Sequence, residues 1–243
     1  MKRRHGAAIY VPQREGELRA RITKQSRGKL PPQALDAIYR EIMSNSRAVQ
    51  GQAPLGLLRA SAKAVMAPAR WHFGACDKFV SKKTWSELAT GIKAGSLTLG
   101  LLTGEDLGAI LKSSKSRQHF LSDFEIRCDF TRGLEIDVPL AERILVVMPR
   151  NQGVMGAVNQ ALILIECKST LNAVKKLANS MSYRSLCAEE LTLRKSSSLL
   201  VRLTLPQRMD AGRLSERLLA AGKSLGMQIT TLGVYPGTEN YGG

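Results

Sequence analysis

The chain has 243 residues, 44% of them hydrophobic and 5% aromatic. That allows two or three compact domains with real cores, and so few aromatics argue against a base-stacking surface for single strands. The net charge of +16 attracts anions of any kind, nucleic acid, acidic lipid or small carboxylates, but no DNA- or RNA-binding motif accompanies it, and the longest apolar runs are strand length, which excludes a membrane-spanning helix.

Residues 1–52 hold eleven Lys/Arg against four acids. A helix is expected from Pro12, with Leu18 and Ile22 on its apolar side. SRGKLPP breaks it. PQALDAIYREIMSNSRAVQ then reads as a second helix, with Leu35, Ile38, Ile42 and Val49 as its apolar stripe, ended by Gly51 and Pro54. Two helices alone bury little and need a partner helix or a second chain. The stretch also carries Ser46 and Gln50, four residues apart and so on one helix face.

Residues 55–155 alternate. Phe79–Val80 reads as a short strand. The segment 81–93 reads as a helix with Trp85, Leu88 and Ile92 on one face, and LTLGLL as a buried strand. That rhythm favours a parallel pair with a right-handed crossover. Thr103 to Asp106 reads as a helix cap, and KSSKSR, 112–117, as a solvated loop. FEIRCDF alternates like a half-buried strand; RILVVM reads as a buried one.

Residues 158–238 follow the order βαββαβ. The strands are ALILIECKS, RSLCAEELTLR, SSLLVRLTL and QITTLGVYP. The second and third meet around Lys195–Ser196. The helices are TLNAVKKLANSM, with Leu171, Val174 and Leu177 inward, and DAGRLSERLLAAGKSLG, capped by Asp210 and ended by Gly226. This order predicts an antiparallel four-stranded sheet with two helices on one face. The four cysteines and three histidines show no metal-ligand spacing. With a Lys/Arg-rich start and no apolar signal run, free thiols in a cytoplasmic protein are expected.

Three stretches carry a resemblance. PQREGELRARI followed by ALDAIYREIMSNSRAVQ resembles the last two helices of an all-helical chorismate mutase domain. FGACDKFVSKKTWSELATGIKAGSLTLGLL and AERILVVMPRN resemble segments of prephenate dehydratase. TLGVYPG resembles the ending of a regulatory ACT domain. The order matches the bifunctional chorismate mutase–prephenate dehydratases of phenylalanine synthesis, in shortened form. The resemblance implies a multidomain α/β and α+β protein: a chorismate-mutase-like hairpin over 1–52, a reduced dehydratase-like α/β lobe over 55–155, and a ferredoxin-like ACT domain over 158–238. It implies a small dicarboxylate substrate, chorismate or prephenate, and no cofactor. The exposed helical stripe and the ACT sheet both argue for at least a dimer.

The resemblance also assigns residues. Lys2, Arg14, Glu15, Ser46 and Gln50 match substrate-binding positions of the mutase. A pericyclic rearrangement needs no nucleophile, only cations on the carboxylates and a donor for charge developing on the ether oxygen. Glu142 and Arg143 match the dehydratase Thr-Arg pair, with Glu in place of the hydroxyl. Thr170, Leu171 and Asn172 match the effector turn of the ACT domain, without its glycine. The family's first helix, with two arginines for substrate carboxylates, would precede Met1. LRASAKAV and TGEDLGAI stand where the dehydratase has its Gly-rich loop and its ENS-type motif. These departures imply impaired catalysis, and a non-catalytic protein that keeps the scaffold is the alternative.

Overall fold

The computed structural model describes residues 12–131, 138–150, 157–167, 172–181, 187–192 and 198–236. The chain opens with α1 (Pro12–Ser26) and α2 (Pro32–Val49). Pro12 and Pro32 begin them, as suits a first turn whose N–H groups have no helical partner. Arg27 and Gly28, both at positive φ, turn the chain between them. Arg19 Nη1 donates to Asp36 Oδ1 at 3.0 Å and ties the two helices together.

A five-stranded sheet follows, in the order β2-β1-β3-β5-β4. Its members are β1 (Leu55–Leu58), β2 (Phe79–Lys82), β3 (Gly100–Thr103), β4 (Phe124–Phe130) and β5 (Ile144–Pro149). β2 and β3 flank β1, each parallel to it, and β5 runs antiparallel to both β3 and β4. The expected parallel arrangement is therefore built around β1. Composition hid that strand: LGLL contains a glycine and is only four residues long, yet all four are buried.

Helices α3 (Ala62–Phe73), α4 (Trp85–Lys93), α5 (Gly104–Lys112) and α6 (Ser114–Asp123) complete this lobe. Trp85, Leu88 and Ile92 of α4 face inward, at the predicted spacing. Thr103 makes a reciprocal cap with Asp106: each side chain accepts the other's backbone N–H, at 3.0 and 2.9 Å. KSSKSR is not a loop. Ser113 caps α6, and Phe120, fully buried, anchors the helix in the core. One aromatic side chain outweighs a polar sequence once it has a core to enter.

The C-terminal unit has four antiparallel strands in the order β7-β8-β6-β9. They are β6 (Ala157–Glu166), β7 (Cys187–Thr192), β8 (Ser198–Asp210) and β9 (Gln228–Tyr235). Helices α7 (Ala173–Ser180) and α8 (Ala211–Ser224) share one core with Ile163, Ile165, Val201 and Leu203. Val174 and Leu177 point inward as expected; Leu171 lies outside the described residues. Leu162, Leu164, Leu200 and Leu232, on the opposite face, join the core of the first lobe. Strand β6 is thus buried on both faces. That is why it reads as an unbroken apolar run rather than an alternation.

The two sheets meet where β9 crosses β4. A Cβ on Gly233 would lie 2.0 Å from the Ile126 carbonyl oxygen, so only glycine permits the approach. Among the described residues, no helix is long and apolar enough to cross a membrane.

Candidate functional site

The most concentrated chemistry lies where α1 and α2 rest on the α/β lobe. Arg47, 2% exposed, is its centre. Its Nη1 donates to Glu15 Oε1 at 2.6 Å and its Nη2 to Asp77 Oδ2 at 2.8 Å. The same Nη2 also reaches the Phe73 carbonyl. Ser44, fully buried one turn earlier, donates to Asp77 Oδ2 at 2.8 Å and accepts from the Cys76 backbone N–H at 3.0 Å. The chain can come this close because Gly74 ends α3 at φ 106; a Cβ there would sit 2.5 Å from that of Ser44.

One guanidinium is shared by two carboxylates. Burial works against the Arg47 charge, but its hydrogen bond to Asp77 and the attraction of Glu15 and Asp77 overcome it and hold the group above its ordinary range. Burial raises Glu15, more than Arg47 lowers it, and the Asp77 charge adds to the rise. The two partners differ because the cation gains two anions, which outweigh its burial, while the burial of Glu15 is only partly offset by the cation it shares with Asp77.

Glu15, Leu18, Arg19, Tyr39, Arg40, Met43, Arg47, His72 and Phe73 line a cavity of about 20 Å³. That is room for about one water, so chorismate does not enter it as the chain stands. His72 stacks on Phe130, ring centroids 4.1 Å apart, at an interplanar angle of 7°. Burial, followed by the charges of Arg19, Arg47 and Arg40, lowers His72 to about 3, so it is neutral at physiological pH.

The residues assigned by resemblance scatter. Ser46 and Gln50 do come together: Gln50 Nε2 donates to Ser46 Oγ at 3.0 Å. They do so at the surface, next to an apolar stripe that lies largely open. Of Leu35, Ile38, Ile42 and Val49, only Leu35 is buried; the other three are 48, 53 and 80% exposed. Ser44 and Arg47 turn inward to Asp77, and the helix rolls its apolar stripe outward. Arg14 is exposed. Glu15 is turned to Arg47, away from Ser46 and Gln50. Lys2 lies outside the described residues.

The dehydratase pair separates. Glu142 is exposed. Arg143 is 7% exposed, and its Nη1 lies 3.8 Å from Asp129 Oδ2. Asp129 also pairs with Arg202 of β8. Arg143 therefore belongs to the contact between the two sheets. Asn172, at φ 60, precedes α7 and is exposed; asparagine tolerates that conformation where most residues do not. Thr170 and Leu171 lie outside the described residues. Among the described residues, no three His, Cys, Asp or Glu side chains gather as metal ligands.

Sequence reasoning missed Ser44, Arg47 and Asp77. The signal was present: Ser44 and Arg47, three apart, share a helix face that is not the apolar one. Their partner, thirty residues on in a loop, had no local signature.

Residues 1–51 match the family model of chorismate mutase type II. Among solved structures, the chain is similar to a prephenate dehydratase from Streptococcus mutans, at 12% identity and a TM-score of 0.46, over 76% of this chain and 98% of that one. It is also similar to GqqA, described as a novel type of quorum quenching acylase, at 17% identity and a TM-score of 0.49, over 75% of this chain and 94% of that one. Both likenesses are loose. No curated protein matches the chain.

Proposed function

We propose that this chain, whose first 51 residues are of the chorismate mutase type II kind, is a member of the chorismate mutase–prephenate dehydratase group. In this reading the outward face of α2 is a half-site for a small dicarboxylate of the chorismate type. The observation that carries it is the Gln50–Ser46 hydrogen bond on an open helix face beside Ile38, Ile42 and Val49. An amide and a hydroxyl beside an apolar stripe suit a flat ring with a polar ether. They grip from one side only. A second copy of the chain laid on the stripe would close the site and supply cations for the carboxylates.

Dehydratase chemistry draws no support from Glu142 and Arg143. An exposed carboxylate would repel the substrate dianion, and Arg143 is committed to the sheet contact. The C-terminal βαββαβ unit is read as ACT-like on its strand order, with a scaffold role. The second reading, a non-catalytic protein keeping this scaffold, is favoured by the pairing of Glu15 with Arg47 in a cavity the size of one water.

Purified chain given chorismate separates the two. The first reading expects slow loss of chorismate, reduced roughly tenfold or more in Ser46→Ala/Gln50→Ala, in line with removing donors to a developing charge. No chorismate loss, and no phenylpyruvate from prephenate, would leave the non-catalytic scaffold standing.

A further inference from the structure

We infer that Asp77, outside the matched residues 1–51, is a positioning residue for the Ser46–Gln50 face and acts through Arg47. The inference deepens the reading just given and rests on it for the identity of the ligand, though not for the pose of the helix.

The case begins with what α2 buries. Three of its residues are buried, and only Leu35 is apolar; the others are Ser44 and Arg47. The helix is therefore held to the lobe mainly by directional contacts, and these converge on one side chain. Asp77 Oδ2 accepts from Ser44 Oγ and from Arg47 Nη2, both at 2.8 Å, and Asp77 Oδ1 accepts from Gln52 Nε2 at 3.1 Å. One carboxylate thus grips two successive turns of α2 and its exit. Around it, Glu41 Oε2 accepts from the Ala75 backbone N–H at 2.9 Å. The segment after α3 lies along the helix as a rail.

Such a grip fixes roll. Successive residues are about 100° apart around a helix. Holding Ser44 and Arg47 therefore dictates where Ser46, between them in sequence, and Gln50 must point. Apolar contacts slide, whereas a carboxylate bonded to a hydroxyl and a guanidinium does not. Arg47 extends the grip to α1 through Glu15. One residue of the α/β lobe thus sets the roll of α2 on the lobe, and α1 follows through Glu15. By this inference the helical pair is not an autonomous module: its functional unit reaches at least to Asp77.

The test uses the full chain with Asp77→Asn, which keeps shape and removes charge, and Ser44→Ala, which removes the hydrogen bonds to Asp77 and from the Cys76 N–H and leaves Arg47 on Asp77. Amide hydrogen exchange is followed over residues 32–49 and over residues 144–149. Chorismate affinity is measured by calorimetry on the same samples. We expect exchange over 32–49 to quicken about tenfold or more, the scale of a lost charged hydrogen bond, with 144–149 within about twofold. Chorismate affinity should fall about tenfold although Ser46 and Gln50 are intact, and Asp77→Glu should recover part of it. Unchanged exchange over 32–49 overturns the inference, and so does equal acceleration of both segments, which would make Asp77 an ordinary determinant of stability. If the unaltered chain binds no chorismate, the functional reading fails and the exchange pattern alone decides the inference. If Asp77→Asn does not fold, Ser44→Ala decides it on the same measurements.

Discussion

The two ends of the chain dock on the α/β lobe by different physics. At the C-terminal contact, Leu162, Leu164, Leu200 and Leu232 enter the lobe's core, and a glycine lets β9 lie on the backbone of β4. Burial there is extensive and non-directional, at about 25 cal/mol per Å². At the N-terminal contact, α2 gives Ser44 and Arg47 to Asp77 and leaves three aliphatic side chains in water. Net gains there are small, about 1 kcal/mol for each neutral hydrogen bond and somewhat more for charged ones. The first kind of joint supplies stability, the second supplies angle. A chain that needs one rigid unit and one precisely rolled helix has reason to use both.

The contrast is tested where charge enters the apolar joint. Asp129, 1% exposed, pairs with Arg202 across the sheet contact and with Arg143 from its own lobe. Asp129→Ala leaves two buried guanidinium groups without that carboxylate. A loss of about 3–5 kcal/mol is expected, as for removing one partner of a buried ion pair, with a single cooperative transition for the whole lobe. Urea unfolding followed by circular dichroism measures it. A loss under about 1 kcal/mol would mean that the charge contributes little and that burial alone holds this joint, which would widen the contrast.

The N-terminal joint should answer to acid through His72. Its folded-state value, about 3, lies below the ordinary imidazole value near 6.5. Between those two values the unfolded chain binds a proton that the folded chain does not. The contribution is therefore complete above about pH 6.5 and is lost as pH falls toward 3. His72 is only partly shielded from water, so about 1–2 kcal/mol is expected, discounted from the full shift for screening. His72→Phe keeps a ring on Phe130 and removes the proton site. Its melting temperature should fall less between pH 7 and pH 4 than that of the unaltered chain. Parallel curves would place the acid sensitivity elsewhere.

How much could be read in advance divides along the same line. The βαββαβ order was legible because ALILI, SLLVRL and the Asp210-capped helix each carry a strong local signal, and local signals suffice where burial is non-directional. Trp85, Leu88 and Ile92, and the Thr103–Asp106 cap, were legible for the same reason. β1 was hidden by its shortness, and α6 by a polar sequence that depends on one distant core contact at Phe120. The apolar stripe of α2 was legible as a face in need of a partner, and it does lie largely open. What holds the opposite face was not legible: Ser44 and Arg47 have their charged partner elsewhere in the chain, and Asp77 could not be found without the fold. Ser46 and Gln50 could be paired from their spacing of four, and they do share a hydrogen bond, whereas Glu15, singled out by resemblance, turns to Arg47.

The outward stripe allows the smallest and most discriminating change. Ile42 is 53% exposed, so Ile42→Ser should shift the stability of the isolated chain by no more than about 0.5 kcal/mol, as at ordinary surface positions. If a second copy covers the stripe, the same change removes apolar area from that contact only. The expected result is an unchanged melting temperature in dilute solution and a smaller dimer fraction at high concentration, read by sedimentation equilibrium. A loss near 2 kcal/mol without any change in association would mean that Ile42 is packed within its own chain. In that case α2 would be held by burial after all, the roll set by Asp77 would be incidental, and the two joints would differ in degree rather than in kind.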